Sequence, residues 1–196
     1  MIKRLFDVVV SAALLVVLSP ILAVIAAAVK RDSPGSVLFR QERVGRHGML
    51  FRIRKYRTMR TEVSGMMITV EHDPRVTKIG RVLRQRKLDE LPQLIDVLLG
   101  TMSLVGPRPE IPQYVDLWPT ELRNFVLSVR PGITDPVSLW LRNESLQLSR
   151  VQDPERYYTE ILLPQKVALY ADYVKRRSMT GDLRILYRTV LSVVRD

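Results

Sequence analysis

The chain has 196 residues, a net charge of +11 and a hydrophobic content of 46%, which suits one domain with a modest core and excludes wholesale disorder. The positive charge favours an anionic partner such as nucleic acid, an acidic membrane face or phosphorylated small molecules. Cysteine is absent, which excludes disulfides and thiolate metal sites, and His47 and His72 are too few for a histidine-based zinc site or a Ser-His-Asp triad.

A long uncharged segment follows the N-terminus. Residues 8–29 carry no charge and would span about 33 Å as a straight helix, enough to cross a bilayer. Ser19-Pro20 lies at the centre, and basic residues flank both ends, so both ends favour the cytoplasmic side. These features predict a re-entrant helix–break–helix in which Ser19 bonds a carbonyl freed by the proline, with a kinked spanning helix as the alternative.

A turn and a hairpin are expected next. Residues 33–36 are typical of a turn, and residues 37–39 and 50–57 predict the two strands of a hairpin joined by a basic turn. His47 belongs to this turn and is expected at the surface. Residues 59–73, which include His72, predict a loop.

Helical spacing dominates the remaining sequence. Helices are predicted over 78–85, 91–99, 119–129 and 154–176, and Pro164 should kink or divide the last of them. An apolar stripe over 183–194 packs on the core, the favoured interpretation, or lies on a membrane surface. The sequence therefore predicts an α+β, mainly helical protein. Residues 1–32 form the re-entrant membrane helix, and residues 33–196 form a small cytoplasmic α/β catalytic domain with interfacial amphipathic helices.

Adjacent carboxylates at Asp89 and Glu90 follow a run of cations. Neighbouring side chains on a helix diverge by about 100°, so the pair cannot easily share a proton but can act as nucleophile and metal ligand around one site. Mg²⁺ binds carboxylate and phosphate oxygens and would offset the repulsion between an attacking carboxylate and a phosphate. Taken alone, the pair favours the simpler interpretation of a solvated acidic helix start.

Several cations lie beside rigid turns. Prolines on both sides of Arg108 pre-set a guanidinium that can bind phosphate, although a rigid loop with an exposed arginine explains the pattern equally well. Lys55 and Arg57 lie on one face of an extended segment, and Arg130 precedes another rigid turn. These residues could contact a diphosphate or could simply be solvated. No Walker A sequence occurs, and no basic helix face is interleaved with aromatics, which argues against nucleic acid.

Taken together, these blocks resemble the small monotopic phosphoglycosyl transferases, the bacterial sugar transferase family, which includes the bacillosamine-phosphate transferase of bacterial glycoprotein synthesis. The resemblance covers nearly the whole chain. The matching blocks, in order, are Lys3-Arg4-Leu5-Phe6-Asp7, Ser19-Pro20, Ser33-Pro34-Gly35, residues 39–45, Lys55-x-Arg57-Thr58-Met59, residues 73–80, Leu88-Asp89-Glu90-Leu91-Pro92-Gln93, residues 102–110 and Arg130-Pro131-Gly132-Ile133-Thr134.

The resemblance implies a Mg²⁺-dependent, ping-pong transfer of a sugar-1-phosphate from a UDP-sugar to polyprenyl phosphate on the inner face of the bacterial membrane, with release of UMP. Asp89 would attack the β-phosphate and hold the phosphosugar, and Glu90, with Asp89 beside it, would help bind Mg²⁺. Arg84 and Arg108 would hold phosphate groups, with Lys55, Arg57 and Arg130 as further contributors. A covalent step lets a soluble nucleotide and a membrane lipid use one site in turn.

Other interpretations stay open at this stage. An acetamido-deoxy sugar is the expected donor, and a UDP-hexose is the alternative within the family. A non-enzymatic, basic membrane-surface or nucleic-acid-binding protein would also explain the charge. Asp135-Pro136 stands where many relatives have glycine, which should alter local turn geometry or sugar selectivity. The basic surface is compatible with a homodimer without requiring one.

Overall fold

The computed structural model describes residues 2–60, 68–70, 73–141 and 144–195. Its fold is α+β and mainly helical, as predicted. The helices are α1 (Ile2–Asp32), α2 (Lys78–Gln85), α3 (Gln93–Leu99), α4 (Pro112–Val115), α5 (Thr120–Val126), α6 (Pro136–Trp140), α7 (Glu144–Ser149), α8 (Pro154–Tyr157), α9 (Leu163–Arg176) and α10 (Met179–Arg195). The strands are β1 (Leu38–Val44), β2 (Leu50–Tyr56), β3 (Ser103–Val105) and β4 (Gly132–Thr134). A loop-like stretch was predicted over 59–73, and much of it, including His72, lies outside the described residues.

Helix α1 runs without interruption through Ser19 and Pro20. The Ser19 hydroxyl donates to the Val16 carbonyl, 2.8 Å away, which is the acceptor that Pro20 cannot use because it lacks an N–H. The predicted hydrogen bond is therefore confirmed, whereas the predicted interruption is not present. Proline removes a single helical hydrogen bond, and Ser19 supplies its replacement, so one helix continues where the sequence predicted two limbs.

Both ends of α1 are attached to the rest of the protein. Lys3 Nζ donates to Asp182 Oδ2 at 2.7 Å, and the Asp32 carboxylate accepts from the backbone N–H of Ile79 at 3.1 Å. Between these ends, Val16 and Val17 are 74% and 71% exposed. By length and composition, α1 is the one helix of the described residues that could cross a membrane. The re-entrant path and the cytoplasmic orientation stay predictions.

The predicted hairpin is confirmed. Strands β1 and β2 pair antiparallel, with Leu38 opposite Tyr56 and Val44 opposite Leu50. Strand β1 is longer than predicted because residues 40–44, which were expected to lead into the turn, pair with residues 50–54 of β2. The turn is confined to a 3₁₀ segment, Arg46–Gly48, in which His47 is exposed, as expected, with a φ of 57°.

The parallel pair β3–β4 was not predicted. Each strand is only three residues long, and its partner lies far away in sequence, so no local pattern marks either strand. The two backbones approach closely at Gly106 and Gly132, where neither residue has a side chain. A Cβ built on Gly132 would lie 2.1 Å from the Gly106 nitrogen. This pairing brings the Arg108 loop and the Arg130 turn together.

Most helix predictions are confirmed, with shifted boundaries. Helix α2 covers the predicted residues 78–85. The helix predicted over 91–99 begins later in the structure, at Gln93 of α3, because it follows a 3₁₀ turn at Leu88–Glu90. The 119–129 segment is helical over α5. Pro164 divides the long predicted helix as expected, since α8 passes through a π-helical turn at Tyr158–Leu162 into α9, where proline occupies the first turn.

Helix α10 buries only part of its apolar stripe. Ile185 and Leu186 pack against a buried cluster that includes Val97 and Met102, which agrees with the favoured core interpretation. Leu183, Tyr187 and Val190, by contrast, are 45%, 65% and 60% exposed. Core packing therefore does not account for this outer face, and the interfacial role of the helix stays a prediction.

Three buried clusters surround the segment that carries the acid pair. The first joins α4, α5 and α9 through residues such as Trp118 and Tyr170. The second packs α3 and β3 against β2 and against the N-terminal half of α1. The third joins the C-terminal half of α1 to Tyr56 and Leu83. The acid pair lies between α2 and α3, next to the second and third clusters. The predicted boundary at residue 32 falls at the end of α1, and the division into a membrane helix and a catalytic domain stays a prediction.

Candidate active site

The acid pair lies on a sharp turn between two helices. Thr77 caps α2 by accepting from the Gly80 N–H at 3.0 Å, and the chain leaves α2 through Lys87, whose φ of 55° is left-handed. A single 3₁₀ turn then carries the acid pair before α3 begins. Asp89 and Glu90 are only 9% and 7% exposed. The interpretation of a solvated acidic helix start is therefore wrong, because burial of carboxylates requires compensation by nearby charges.

Glu90 is held by two cations from different parts of the chain. Lys55 Nζ of β2 donates to Glu90 Oε1 at 2.8 Å, and Arg108 donates to both oxygens, with Nη1 3.3 Å from Oε2. Burial raises the pKa of Glu90, but Arg108 and Lys55 outweigh burial and hold it well below its usual value. Conversely, the Glu90 charge raises the pKa of Arg108 well above its ordinary value. Glu90 is therefore a firmly ionised anchor.

Asp89 differs from its neighbour. Within the part of the chain that the structure describes, no donor hydrogen-bonds to the Asp89 carboxylate. Burial and the Glu90 charge raise its pKa, against the opposing effects of Lys55, Arg84 and Lys87. A buried carboxylate without hydrogen bonds is poorly stabilised as an anion and keeps its lone pairs available. Two adjacent acids thus have opposite environments, which is typical of groups with different chemical roles.

Arg84 lies on the same side as the pair. It belongs to the last turn of α2, and burial lowers its pKa against the opposing effects of the Asp89, Asp73 and Glu90 charges. Asp73 is 5% exposed and accepts hydrogen bonds from the Arg75 guanidinium at 2.6 to 3.1 Å. Asp73 and Lys87 were given no role from the sequence. Their position in the sequence could have indicated a role, because Asp73 begins one block of the family resemblance and Lys87 directly precedes another.

The structure does not bring every predicted residue to this site. Arg57 is 3% exposed and donates to the carbonyls of Ser33 and Pro34, so it closes the turn after α1. Arg130 Nε donates to the Gly100 carbonyl at 2.7 Å, at the end of α3. Both guanidinium groups hold backbone carbonyls in the structure. Their phosphate-binding roles stay predictions without support from this geometry, whereas Lys55, Arg84 and Arg108 surround the acid pair.

Asp135, the departure from the expected glycine, has a structural role. It is completely buried at the start of α6, and its Oδ1 accepts from the backbone N–H groups of Val137 and Ser138 at 2.7 and 2.9 Å. Its charge also helps to raise the pKa of Arg108, after the effects of Glu90. Asp135 therefore caps the helix that follows the turn, and an altered turn geometry relative to glycine stays a prediction. No observation connects it to a choice of sugar.

The carboxylate oxygens of this site could hold a hard divalent cation only together with oxygens of a bound substrate. In the described ranges, acidic and histidine side chains form no group of three or more that could hold a metal. No residue that the structure describes donates to the Asp89 oxygens, and Oε2 of Glu90 accepts one long hydrogen bond. Mg²⁺ usually binds one or two carboxylates together with substrate phosphates and waters. The site fits that mode and does not fit a metal cage built from protein alone.

Comparisons with known proteins identify the family of this chain. A family model described as bacterial sugar transferase matches residues 1–196. The chain belongs to the bacterial sugar transferase family. It is 36% identical to the UDP-glucose:undecaprenyl-phosphate glucose-1-phosphate transferase of Escherichia coli K12 over 97% of the chain, and 38% identical to the protein of the same name from Caulobacter vibrioides over 98%. An Aeromonas hydrophila UDP-N-acetylgalactosamine-undecaprenyl-phosphate N-acetylgalactosaminephosphotransferase is 41% identical over 98%.

These bacterial sugar transferases differ in length. The chain spans 39% of the E. coli relative, 44% of the Aeromonas relative and 69% of the Caulobacter relative. Their names specify different sugars, glucose in two cases and N-acetylgalactosamine in the third. Membership in the family therefore does not select the donor sugar.

Proposed function

We propose that this protein transfers a sugar-1-phosphate from a UDP-sugar to a polyprenyl phosphate at the inner face of the bacterial membrane. The observation that carries the proposal is the contrast within one turn. Glu90 is held by Lys55 and Arg108, whereas Asp89 is buried near cations and accepts no hydrogen bond from the described residues. A nucleophile with free oxygens beside fixed cations is what attack on a diphosphate requires. The names of the relatives supply the substrate class.

The proposed reaction has two half-reactions at one carboxylate. An Asp89 oxygen attacks the β-phosphorus of the UDP-sugar, a new P–O bond forms, and the bond to the UMP oxygen breaks. UMP then leaves, and the phosphosugar stays on Asp89. An oxygen of polyprenyl phosphate next attacks the same phosphorus and frees Asp89. Arg84 and Arg108 would stabilise negative charge on the phosphate oxygens in both steps.

Mg²⁺ is proposed as the cofactor. When bound, it would neutralise charge on the diphosphate and so reduce its repulsion of the attacking carboxylate. Asp89 and Glu90 Oε2 are the residues that would hold it, together with phosphate oxygens of the substrate. Lys55 would keep Glu90 oriented through its 2.8 Å contact with Oε1. In this arrangement Oε1 binds Lys55 and Arg108, and Oε2 would face the metal.

The donor sugar has two candidates. An acetamido-deoxy sugar was expected from the sequence, and the name of the Aeromonas relative supports it. Glucose, the hexose alternative, is supported by the names of the E. coli and Caulobacter relatives. A non-enzymatic basic surface protein would not require a buried acid pair with opposite environments, so we do not retain that alternative.

The membrane arrangement is part of the proposal. Both ends of α1 contact the body of the protein, and the middle of the helix exposes Val16 and Val17. An exposed apolar centre between two attached ends suits a continuous helix that bends at Pro20, enters one leaflet and returns to the same side. This placement would bring the acid pair close to the head group of a lipid substrate.

The decisive experiment measures UMP release by the full chain in detergent or nanodiscs, given undecaprenyl phosphate, Mg²⁺ and separate UDP-sugars. UDP-glucose and UDP-N-acetylgalactosamine distinguish the two donor candidates. Without the lipid, mass spectrometry of the intact protein should detect one phosphosugar adduct, which Asp89→Asn and Asp89→Ala should abolish. Chelation of Mg²⁺ should stop turnover, and fresh Mg²⁺ should restore it.

Retention of turnover in Asp89→Ala would contradict the nucleophile assignment. Asp116→Asn is a suitable control, because Asp116 is exposed and its ion pair with Arg123 is long, at 3.6 Å. Salt-sensitive binding to DNA or anionic vesicles, with no UMP release from any donor, would instead support a non-enzymatic role.

A further inference from the structure

The loop that carries Arg108 is anchored at its first end by strand β4. The Gly106 N–H donates to the Thr134 carbonyl at 3.1 Å, and the Gly132 N–H donates to the Pro107 carbonyl at 2.9 Å. A Cβ built on Gly106 would lie 2.5 Å from the Arg130 carbonyl oxygen. The backbone on this side of Arg108 therefore has little freedom to move.

The second end of the loop depends on the buried carboxylate of Glu110. This side chain belongs to a residue that is 7% exposed. Arg43 Nη1 donates to Oε1 at 2.8 Å, and the Tyr158 hydroxyl donates to Oε2 at 2.6 Å. The Val44 N–H also donates to the Glu110 carbonyl at 2.9 Å. Strand β1 and the π-helical turn thus hold the loop end from two sides.

Lys166 compensates the charge of this carboxylate. It lies on α9, is 4% exposed, and its Nζ is 3.9 Å from Glu110 Oε2 and 3.1 Å from the Tyr158 hydroxyl. The same Nζ lies 3.2 Å from Glu144 Oε2 and 4.8 Å from the centre of the Tyr158 ring. Burial raises the pKa of Glu110, but Lys166 and Arg43 outweigh burial and lower it. The carboxylate is therefore ionised at neutral pH.

Glu110 is joined to Arg108 through the backbone, and the two opposite charges also attract each other without a hydrogen bond. One residue, Pro109, separates them, and Arg43 Nη1 also donates to its carbonyl at 3.3 Å. The Arg108 guanidinium donates to Glu90, and over the described residues it makes no hydrogen bond to Glu110. The ring of Pro109 restricts its φ, so the backbone between Glu110 and Arg108 is stiff. Anchoring the Glu110 carboxylate therefore also restricts where the Arg108 guanidinium can lie.

We propose that Glu110 is a positioning residue: its carboxylate, held by Arg43 and Lys166, sets Arg108 at the acid pair and at the diphosphate of the donor. The inference rests on the proposed function and deepens it. Glu110 touches neither the acid pair nor, by this proposal, the substrate. The buried cluster has a kinetic role in addition to a structural one, because a guanidinium must be placed accurately before it can stabilise a transferring phosphate.

The test compares Glu110→Gln, Arg108→Lys and the double variant with the unmodified protein. Glu110→Gln should lower kcat/KM for the UDP-sugar on the order of 10- to 100-fold, the loss that a displaced catalytic group produces. In the Arg108→Lys background, which has already lost the two-pronged contact, the same change should have little further effect. Multiplying effects in the double variant would overturn the inference, since they would mean that Glu110 acts independently of Arg108.

A second readout does not require turnover. Calorimetry with UDP should give a Kd that Glu110→Gln raises several-fold, and unchanged values of both Kd and kcat/KM would also overturn the inference.

Tyr158→Phe keeps the ring and removes one hydrogen bond, so it should reproduce a smaller loss if Glu110→Gln folds poorly. Glu160→Gln is the matched control, because it removes a carboxylate from an exposed ion pair with Arg156. Absence of UMP release from the unmodified protein would count against the proposed function alone, and the UDP measurement would still decide the role of Glu110.

Discussion

The hydroxyl of Ser103 donates to Oδ2 of Asp7, 2.8 Å away, in a buried contact between α1 and β3. Strand β3 leads directly into the Arg108 loop, so helix α1 and Arg108 are joined by one short path. Lys3 completes the contact, 3.7 Å from Asp7 Oδ1 and 2.7 Å from Asp182 Oδ2. Docking of α1 is therefore part of the architecture of the site.

Replacement of Asp7 by alanine should destabilise the protein and reduce its activity. The change removes the Asp7 acceptor of the Ser103 hydroxyl and the 3.7 Å ion pair of Asp7 with Lys3. Lys3 keeps its contact with Asp182, and the Ser103 hydroxyl keeps the Val105 carbonyl. The expected loss is therefore about 1 kcal/mol, that of one buried hydrogen bond. Thermal unfolding in nanodiscs should show a lower Tm. Asp172→Asn, an exposed carboxylate paired with Arg176, is the control and should change little. An unchanged Tm for Asp7→Ala would mean that α1 docks mainly by apolar packing.

The two carboxylates of the acid pair should affect stability in opposite directions. The raised pKa of Asp89 means that folding disfavours its anion at neutral pH, so Asp89→Asn should stabilise the protein by on the order of 1 kcal/mol while abolishing turnover. The pKa of Glu90 is lowered, so its stabilisation is present above the unfolded pKa near 4.5 and disappears as the pH falls through the folded pKa. Glu90→Gln should therefore destabilise the protein, by about 3 kcal/mol.

Unfolding midpoints at pH 7 measure both effects under identical conditions. A Tm that falls to the same extent in Asp89→Asn and Glu90→Gln would contradict the unequal environments described for the pair.

The plot of kcat/KM for the UDP-sugar against pH should be bell-shaped. Its two limbs should lie closer together than the ordinary pKa values of aspartate and lysine would place them. Activity requires ionised Asp89, whose pKa is raised by burial and Glu90, so the acid limb should lie above the ordinary aspartate value of 3.8. Activity also requires protonated Lys55, whose pKa is lowered mainly by burial, so the alkaline limb should lie below 10.5. Lys55→Arg should move only the alkaline limb, to higher pH. An alkaline limb that stays in place in this variant would exclude Lys55 as its origin.

Both ends of α1 should be accessible from the same side of the membrane. The chain has no cysteine, so single substitutions at Ile2 and Arg31, both exposed, can be labelled without background. An impermeant maleimide should label both positions in inside-out vesicles and neither in right-side-out vesicles. Val17→Cys, at the exposed apolar centre, should resist labelling in either orientation because the bilayer covers it.

Labelling of Ile2→Cys and Arg31→Cys from opposite sides would show a spanning helix. Replacement of Pro20 by leucine should favour that straighter path. If both positions of the Pro20→Leu variant are still labelled from the inside-out face, the attached ends of α1 decide the path and the proline does not.

Local chemistry explains what could be predicted from the residues alone. The bond from Ser19 to a freed carbonyl, the hairpin, helix α2 and the division at Pro164 all follow from groups a few residues apart, whose geometry is limited by the backbone. The cationic run and the rigid arginine loop likewise indicated a phosphate site before any contact was known. The family resemblance rested on short blocks of the same kind.

Long-range contacts decided the rest. Taken alone, the acid pair favoured a solvated helix start, and only the family resemblance assigned it a catalytic role. In the fold, Asp89 and Glu90 are buried between α2 and α3 and have opposite pKa shifts. Arg108, 18 residues away in sequence, and Lys55, 35 residues away, both contact Glu90. Arg57 and Arg130 matched the pattern of phosphate ligands, yet they bind backbone carbonyls elsewhere. The sequence by itself therefore determined which groups could perform the chemistry. Only the tertiary structure decided which of them meet, since charge and hydrogen-bond partners depend on distance in space.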